Sequence, residues 1–562
     1  MEVRSDAARP VPEMRAARFT IPATVEQLLL AASVFWALAA NGPFLAAALR
    51  GRPPADPGTW GFALALLVLL GAVHFLLLAL VANRWIVKPL LALLAVVTAV
   101  SAYYMTRYGV YLDPSMLRNV LRTDVVEARE LLSPALWLQL LLYAGLPIGL
   151  LWRVRIVNRR WSRAAWVRAG GIALALAVAV ATLIAIFQPL ASLMRNHREM
   201  RYLITPANLV WSAGAVAMAD AKGAAVPREA IGLDARPGPL AAHRERPLVV
   251  VLVVGETARA ANWGLNGYAR QTTPQLATLP VINFSDVTSC GTNTEVSVPC
   301  MFSALGRHRY DESRIRHSEG LLHVLARAGV AVHWRDNQSG CKGVCDGLPN
   351  DTVQGLNAPG LCSDGRCLDE GLTHGLDQRL AKARGSQLLV LHQLGNHGPS
   401  YFRRYPPAFA RFAPACEHDD LQRCTREEIV NAYDNALLYT DHLLARLQQQ
   451  LQAHESSVDT ALIYVSDHGE SLGEKGLFLH GMPYAIAPSE QTHVPMVMWL
   501  SAGLQRSQSL DVACLRRRAT KAASHDHLFH TLLALTDVQT ALYDPDWDLI
   551  HDCRRATLAR AP

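Results

Sequence analysis

Five apolar runs crowd the first 190 residues of this 562-residue chain, at roughly 25–49, 59–82, 87–107, 135–153 and 169–190. A helix needs about 20 apolar residues to cross the hydrocarbon core of a bilayer, so each run reads as a membrane crossing. From about residue 243 the sequence has the mixed character of a globular domain. The chain is too long for one ordinary domain. Its overall 51% hydrophobic content therefore conceals an apolar half and a soluble half. The first run is longer than a signal-peptide core and lacks a small-x-small cleavage site, so it reads as a retained anchor.

Orientation follows from basic residues in the short loops. Arg4, Arg9, Arg15 and Arg18 precede the first run, and Arg153, Arg155, Arg159, Arg160, Arg163 and Arg168 fill the loop between the fourth and fifth. The 108–134 loop carries mixed charge instead. That predicts a cytoplasmic N-terminus and, after five crossings, an extracytoplasmic position for everything beyond residue 190. All ten cysteines lie between Cys290 and Cys553. Four pairs are close in sequence (Cys290/Cys300, Cys341/Cys345, Cys362/Cys367 and Cys416/Cys424), and Cys514 and Cys553 remain as a fifth, longer-range pair. An even count confined to one half fits disulfides in an oxidising compartment. Cytosolic thiols or a zinc ribbon fit worse, because only two of the pairs come near ribbon spacing. The net charge of +7 resides largely in the loops between apolar runs, which argues against a nucleic-acid partner.

Within the 108–134 loop, Asn119, Thr123 and Glu127 are spaced to share one helix face. Such a stripe is either a solvated face or a contact for a lipid head group. Residues 191–242 join the halves: the part through Trp211 and Met218 suits a helix along the membrane surface, and Arg236 to Arg246 reads as a linker. The expected organisation is a five-helix transmembrane domain over 1–190, a membrane-surface helix and linker over 191–242, and a periplasmic catalytic domain over 243–562.

In that last part short apolar runs alternate with helical stretches, the pattern of an α/β domain with a largely parallel sheet, whose sites lie beyond the carboxyl ends of the strands. Leu248–Val254 leads into Gly255-Glu256-Thr257, Leu388–Leu391 into His392 to Pro399, and Ala461–Val465 into Ser466-Asp467-His468-Gly469. One such Asp-His pair is more often a surface turn than a site, but three ligand-bearing strand ends in one domain are not. Donors from Glu256, Asp467 and His468 suit zinc. The reacting group is sought in Ser289 to Ser303, where small polar residues precede a helix start. A hydroxyl there sits near free N–H groups that favour an incoming phosphate. Thr294 or Ser297 can equally be a helix cap, and spacing does not separate Thr292, Thr294 and Ser297.

These stretches, with Trp334-Arg335-Asp336-Asn337, Tyr464 to Glu474 and Leu479-His480-Gly481-Met482-Pro483, resemble the phosphoethanolamine transferases of Gram-negative bacteria, closest to the lipid A enzymes that include the mobile colistin-resistance proteins. The resemblance covers nearly the whole chain and implies an alkaline phosphatase/sulfatase-like fold for the α/β domain. It implies Thr294 as nucleophile, and Glu256, Asp467 and His468 as ligands of one tightly held zinc that Thr294 completes. His397 and His480 match residues that bind a second zinc or the substrate phosphate, Lys342 matches a pocket lysine, and Asn119, Thr123 and Glu127 match lipid-contacting residues. Some relatives carry Asn-Ser before the pocket lysine, whereas here Gln338-Ser339-Gly340-Cys341 precedes Lys342.

The implied reaction has two displacements. Thr294 takes phosphoethanolamine from phosphatidylethanolamine, then gives it to a lipid A or lipopolysaccharide phosphate, conferring polymyxin resistance on a bacterium that carries this inner-membrane, monomeric enzyme. Alternatives are transfer to lipopolysaccharide core or periplasmic glucan, a sulfatase-like hydrolase, and a catalytically dead lipid sensor. A formylglycine sulfatase would need an Arg that Ser297-Val298-Pro299-Cys300-Met301 lacks.

Overall fold

The computed structural model describes residues 20–123, 125–224, 228–356, 360–363 and 366–555. Its contacts divide the chain into two units: residues up to Ala102 with Trp137–Arg198, and Tyr103–Leu136 with the chain from Glu199 onward.

The first unit is helical. Pro57–Val81, Val87–Tyr108, Pro134–Arg153 and Trp161–Ala185 are each long and apolar enough to cross a membrane. The first apolar run is bent by 54° between Val25–Ala39 and Gly42–Ala48, and the pair counts as a fifth span if taken together. A proline in the first turn of the second helix accounts for the bend, since its ring cannot continue a helix but starts one readily. Asn41 fastens the corner by donating from Nδ2 to Trp36 O at 2.9 Å. Leu29, Trp36, Phe75, Leu78 and Leu91 form the interior. Leu64, Leu80, Leu174 and Ile184 are exposed, an apolar exterior that suits hydrocarbon rather than water.

The second unit is built on an eight-stranded sheet. Its strands are β1 (Leu248–Gly255), β2 (Ile282–Thr288), β3 (Ala331–Asp336), β4 (Asn350–Thr352), β5 (Ser386–His392), β6 (Asp459–Ser466), β7 (His493–Leu500) and β8 (Ala523–Ser524). They lie in the order β8-β2-β7-β6-β1-β5-β3-β4. All pairs are parallel except β7 with its neighbours β6 and β2. β1 reads Leu-Val-Val-Val-Leu-Val-Val-Gly and is buried throughout, as a central strand covered on both faces must be. Val250 and Leu252 face one apolar core, and Val249, Val251 and Val253 face the other. The 28-residue helix Arg426–Ala453 covers the second face, starting at a Thr425/Glu428 capping box. The three ligand-bearing runs are the adjacent strands β5, β1 and β6, with His392 level with Val254 and Gly255 level with Ser466.

Two expectations need correction. Asn119, Thr123 and Glu127 do not share one continuous helix: α1 (Pro114–Arg122) ends at Thr123, whose ψ of 135 is extended. Thr123 Oγ1 donates back to Asn119 O at 2.8 Å, a local bond of the kind that competes with helix continuation. A separate short helix follows at Val125–Glu130; the Glu127 side chain lies outside the described residues. The stretch read as a linker is bound to the domain, with Arg236–Pro237 pairing with Val538–Gln539 and Ala241 N donating to Asp537 Oδ2 at 2.8 Å. Between them, α2 (Ala207–Ala224) buries Asn208, Ser212 and Val216 and exposes Val210, Trp211 and Met218.

The 103–136 segment is held to the α/β domain by ion pairs. Arg107 meets both oxygens of Asp420 at 2.8 Å, and Arg118 pairs with Glu312. Buried Glu130 lies 2.5 Å from Arg404 and 2.7 Å from Arg366. All ten cysteines are disulfide-bonded, including Cys514 to Cys553.

Removing one member of a buried pair leaves the other charge without compensation, at a cost of about 3–5 kcal/mol. Glu130→Gln is therefore expected to lower the thermal midpoint of the detergent-solubilised protein clearly, and an unchanged midpoint would refute the pairing. Cys514 and Cys553 close the longest of the disulfide loops, with a sequence separation of 39. Replacing both by Ser should cost about 4 kcal/mol by loop entropy, and thiol labelling of the denatured, unreduced wild type should find no free thiol.

Candidate active site

The site is assembled where β1 and β6 end. Their register makes Glu256 and Asp467 the first residues past Gly255 and Ser466, so both carboxylates emerge side by side, fully buried. Glu256, Asp467 and His468 each offer a ligand atom within 4.8 Å of the others. Burial alone would push the Glu256 carboxyl up, but the hydrogen bond and charge of His468 hold it below its usual range. Burial, and then the Glu256 charge, raise Asp467 to about 6. Burial would lower His468, yet the charge of Asp467 and the bond to Glu256 raise it to about 10. Two facing carboxylates thus demand a cation.

The residues fit a divalent metal. His468 Nδ1 lies 3.0 Å from the carbonyl of Gly469, which can only accept, so Nδ1 carries a proton and Nε2 is the nitrogen that could coordinate a metal. Nε2 lies 3.3 Å from Asp467 Oδ2 and 3.4 Å from Glu256 Oε1. Asp467 Oδ1 accepts from Thr257 N at 3.1 Å and His468 N at 2.7 Å, while buried Oδ2 accepts no hydrogen bond. Thr257 holds a left-handed φ of 61, unusual for a β-branched residue and a mark of a backbone constrained by its surroundings.

The three candidate hydroxyls separate in space. In α3 (Thr294–Met301) the cap is Asn293, whose side chain accepts from Val296 N at 3.1 Å, so neither Thr294 nor Ser297 is spent as a cap. Thr292 Oγ1 donates to Met482 O at 2.7 Å, and Ser297 Oγ donates to Asp467 O at 2.5 Å. Thr294 Oγ1 alone of the three meets the cluster, 3.1 and 3.3 Å from the Glu256 oxygens and 3.4 Å from His468 Nε2. Its position at the first turn of α3 places it among free backbone N–H groups.

His480 and His397 stand beside this cluster, with ring centroids 4.3 Å between His468 and His480 and 5.6 Å between His480 and His397. Burial, then the charges of His468 and His397, hold His480 well below the usual imidazole range. Arg404 fixes the His397 loop by donating from Nε to His397 O at 2.6 Å. Lys342 Nζ lies 3.5 Å from Glu295 Oε1, on the other side of α3's first turn. Asn119 and Thr123 stay outside the carboxylate cluster, although Arg122 of α1 reaches Glu295 Oε2 at 3.1 Å.

Several supporting residues carry no role in the sequence reading. His392 bridges Asp336, 2.7 Å from Nδ1, toward Glu256 Oε2, 3.9 Å from Nε2. Asp369 accepts from Leu394 N and Gly395 N, both at 2.9 Å. Gly395 packs so closely on Glu256 that a Cβ there would stand 2.6 Å from its carbonyl oxygen, at a φ of 52. His525 accepts from Cys290 N at 3.0 Å and contacts Ser466 O at 2.9 Å, tying the loop before α3 to the β6 end. Burial raises Glu470 to about 8 beside His480. The Asp336 and His392 motifs were visible in sequence, and so was Ser524-His525-Asp526-His527, at the end of β8, but nothing in the sequence linked it to the other strand ends.

Comparisons with known proteins agree with this architecture. Residues 70–221 match the family described as phosphoethanolamine transferase EptA/EptB, and residues 249–538 match the sulfatase family. Phosphoethanolamine transferase EptA of Escherichia coli K12 is 39% identical over 535 residues, 94% of this chain and 97% of that protein. Phosphatidylethanolamine transferase Mcr-1 of Escherichia coli is 39% identical over 522 residues, covering 91% and 94%. The solved integral membrane lipooligosaccharide phosphoethanolamine transferase A of Neisseria meningitidis is 37% identical, with a TM-score of 0.91 over 95% of this chain and 100% of that one. That likeness bears out a helical membrane domain joined to an α/β domain of sulfatase and alkaline phosphatase type. Matched over 94% of its length by a relative 39% identical, the chain belongs to the EptA/EptB family of phosphoethanolamine transferases.

Proposed function

We propose that this protein transfers phosphoethanolamine from phosphatidylethanolamine to a phosphate of lipid A, through a covalent intermediate on Thr294. The observation that carries the reading is that Thr294 Oγ1, uncommitted as a cap, lies within 3.1–3.4 Å of Glu256 and His468. Glu256, Asp467 and His468 would hold zinc, with Thr294 completing the set. The ion, when bound, would lower the hydroxyl's pKa and neutralise phosphate charge. Thr294 Oγ attacks phosphorus, the bond to the diacylglycerol oxygen breaks, and that oxygen takes up a proton. His480 and His397, beside the cluster, are the groups positioned to move it, a contribution on the order of 10²–10⁴-fold. An acceptor phosphate oxygen then displaces Thr294, restoring the hydroxyl.

The names of Mcr-1 and of the meningococcal relative support the donor and acceptor classes. The arginine distribution supports residues 1–190 as five crossings of the inner membrane with the N-terminus inside and residues 243–562 in the periplasm. The exposed apolar residues Trp211 and Met218 support α2 as a membrane-surface element, and a lipid-contacting role is proposed for Asn119, Thr123 and Glu127. The working unit is taken as a monomer.

Two outcomes are expected. The full-length protein purified without chelator should carry at least one zinc per chain, and Asp467→Asn with His468→Gln should lose it; wild type without zinc would refute the metal reading. Thr294→Ala should keep zinc and abolish transfer. Given phosphatidylethanolamine alone, wild type should gain one phosphoethanolamine on the peptide containing Thr294, and acceptor should discharge it. Free phosphoethanolamine released regardless of acceptor would mark a hydrolase, and near-normal transfer by Thr294→Ala would end the covalent mechanism.

A further inference from the structure

The two imidazoles beside the metal cluster sit on loops rather than on strands. His397 lies beyond the end of β5, in a turn closed by its own N–H on Leu394 O at 3.2 Å. His480 follows the short hairpin that pairs Ser471–Leu472 with Phe478–Leu479. The two loops touch each other, since a Cβ on Gly398 would stand 2.9 Å from Leu479 Cδ2. A ring carried on a loop keeps its place only through contacts made from outside that loop. For both histidines, part of those contacts comes from the 103–136 segment.

For His397 the link is Arg404. Its Nε donates to His397 O at 2.6 Å, while its two terminal nitrogens lie 3.4 and 2.5 Å from the carboxylate oxygens of Glu130. Both side chains are buried, and Arg366 holds Glu130 from a further side at 2.7 Å. A guanidinium is planar, so seating its fork on one carboxylate also fixes the direction of its Nε–H bond. For His480 the link is steric. A Cβ on Gly481, which has a φ of 90, would stand 2.9 Å from Met116 Sδ of α1, and one on Gly109 would stand 2.8 Å from Leu477 Cδ2 at the turn of the hairpin. The hairpin is therefore packed against the same segment at two points, one before and one after His480. Gly481 N also donates to Thr292 O at 2.8 Å, which ties this loop to the approach to α3.

Resting on the covalent reading above, we propose that Arg404, seated by Glu130, and Met116 are positioning residues that set His397 and His480 against the oxygen that leaves phosphorus. All three act through the imidazoles. When Thr294 Oγ forms its bond to phosphorus, the bond to the diacylglycerol oxygen breaks and its electron pair stays on that oxygen. The oxygen takes up one proton and the threonine hydroxyl gives up one, so no further reactant is needed. An alkoxide is a poor leaving group, and a displaced imidazole leaves it without its proton. A nitrophenolate leaves readily as the anion, so the same displacement matters little when the donor is nitrophenyl phosphoethanolamine.

Full-length enzyme in detergent, loaded from each donor in turn, distinguishes positioning from a merely structural role. Arg404→Lys keeps a cation beside Glu130 but removes the planar Nε–H. It should load from phosphatidylethanolamine about tenfold or more slowly at saturation, with little change in the donor concentration that gives half the maximal rate. Its burst of nitrophenolate from the aryl donor should stay near the wild-type rate, and its zinc content should be unchanged. Met116→Ala, which removes no charge, should show a smaller loss with the same selectivity between donors. Equal losses on both donors, or loss of zinc, would make these contacts structural and overturn the proposal. Loading from phosphatidylethanolamine at the wild-type rate in both variants would overturn it as well. Failure of wild type itself to load Thr294 would instead refute the covalent reading.

Discussion

Two carboxylates that emerge from neighbouring parallel strands and are buried together impose a demand that the rest of the domain is arranged to meet. Isolated in a low-dielectric interior, Glu256 and Asp467 would repel each other and pay a heavy desolvation cost. The register of β1 with β6 leaves no freedom to part them, because each is the next residue after a hydrogen-bonded strand end. Compensation comes from the imidazole of His468 and the N–H groups of Thr257 and His468 on Asp467. Burial would lower the pKa of His392, but the charge of neighbouring Asp336 and its hydrogen bond raise it, so this imidazole too favours the positive form beside the carboxylates. The first turn of α3 contributes its partial positive end. A divalent ion is the strongest member of this series, and the same arrangement that would bind it also polarises the Thr294 hydroxyl.

A hydroxyl held against a buried cluster as closely as Thr294 is needs a rigid loop, and the structure supplies several fasteners. Cys290–Cys300 spans α3 from its leading loop to its last turn. His525 accepts from Cys290 N and contacts Ser466 O, so one imidazole links the loop before α3 to the strand end that bears Asp467. Ser297 ties α3 directly to the Asp467 carbonyl. The positioning of Thr294 is thus over-determined by contacts that never touch a substrate, which is the condition for a preorganised site.

How much of this was legible beforehand follows from whether the signal was local. Leu248–Val254 and Ala461–Val465 are continuous apolar runs closed by glycine or serine and a ligand, so the strand ends and their donors could be read directly. The choice among Thr292, Thr294 and Ser297 could not, because it depends on which residue caps α3, and Asn293 takes that part through its own side chain. The break of the Asn119–Glu127 stripe at Thr123 was hidden for a similar reason: spacing assumes a helix, and one hydroxyl bond to Asn119 O accompanies its end. His525 is remote in sequence from every strand end it serves, and only tertiary contact reveals it. The Arg236–Pro237 strand depends on a partner some 300 residues later, which composition cannot indicate.

The chemistry and the choice of partner are carried by different parts of the chain. The cluster of Glu256, Thr294, Asp467 and His468 belongs to the stretch that matches the sulfatase family, and nothing in it distinguishes water from a lipid phosphate as the final acceptor. What distinguishes them must lie outside it. Thr294 is almost fully buried and its neighbours in the cluster are completely so, which limits free access of water to its hydroxyl. The stretch that matches the transferase family supplies Arg118, Arg122 and Glu130. These side chains pair with Glu312, Glu295 and Arg404, so they reach both the residue next to Thr294 and the arginine that holds the His397 loop. The 103–136 segment therefore orders the surroundings of Thr294 through ion pairs, from the stretch of chain that matches the transferase family rather than the sulfatase family.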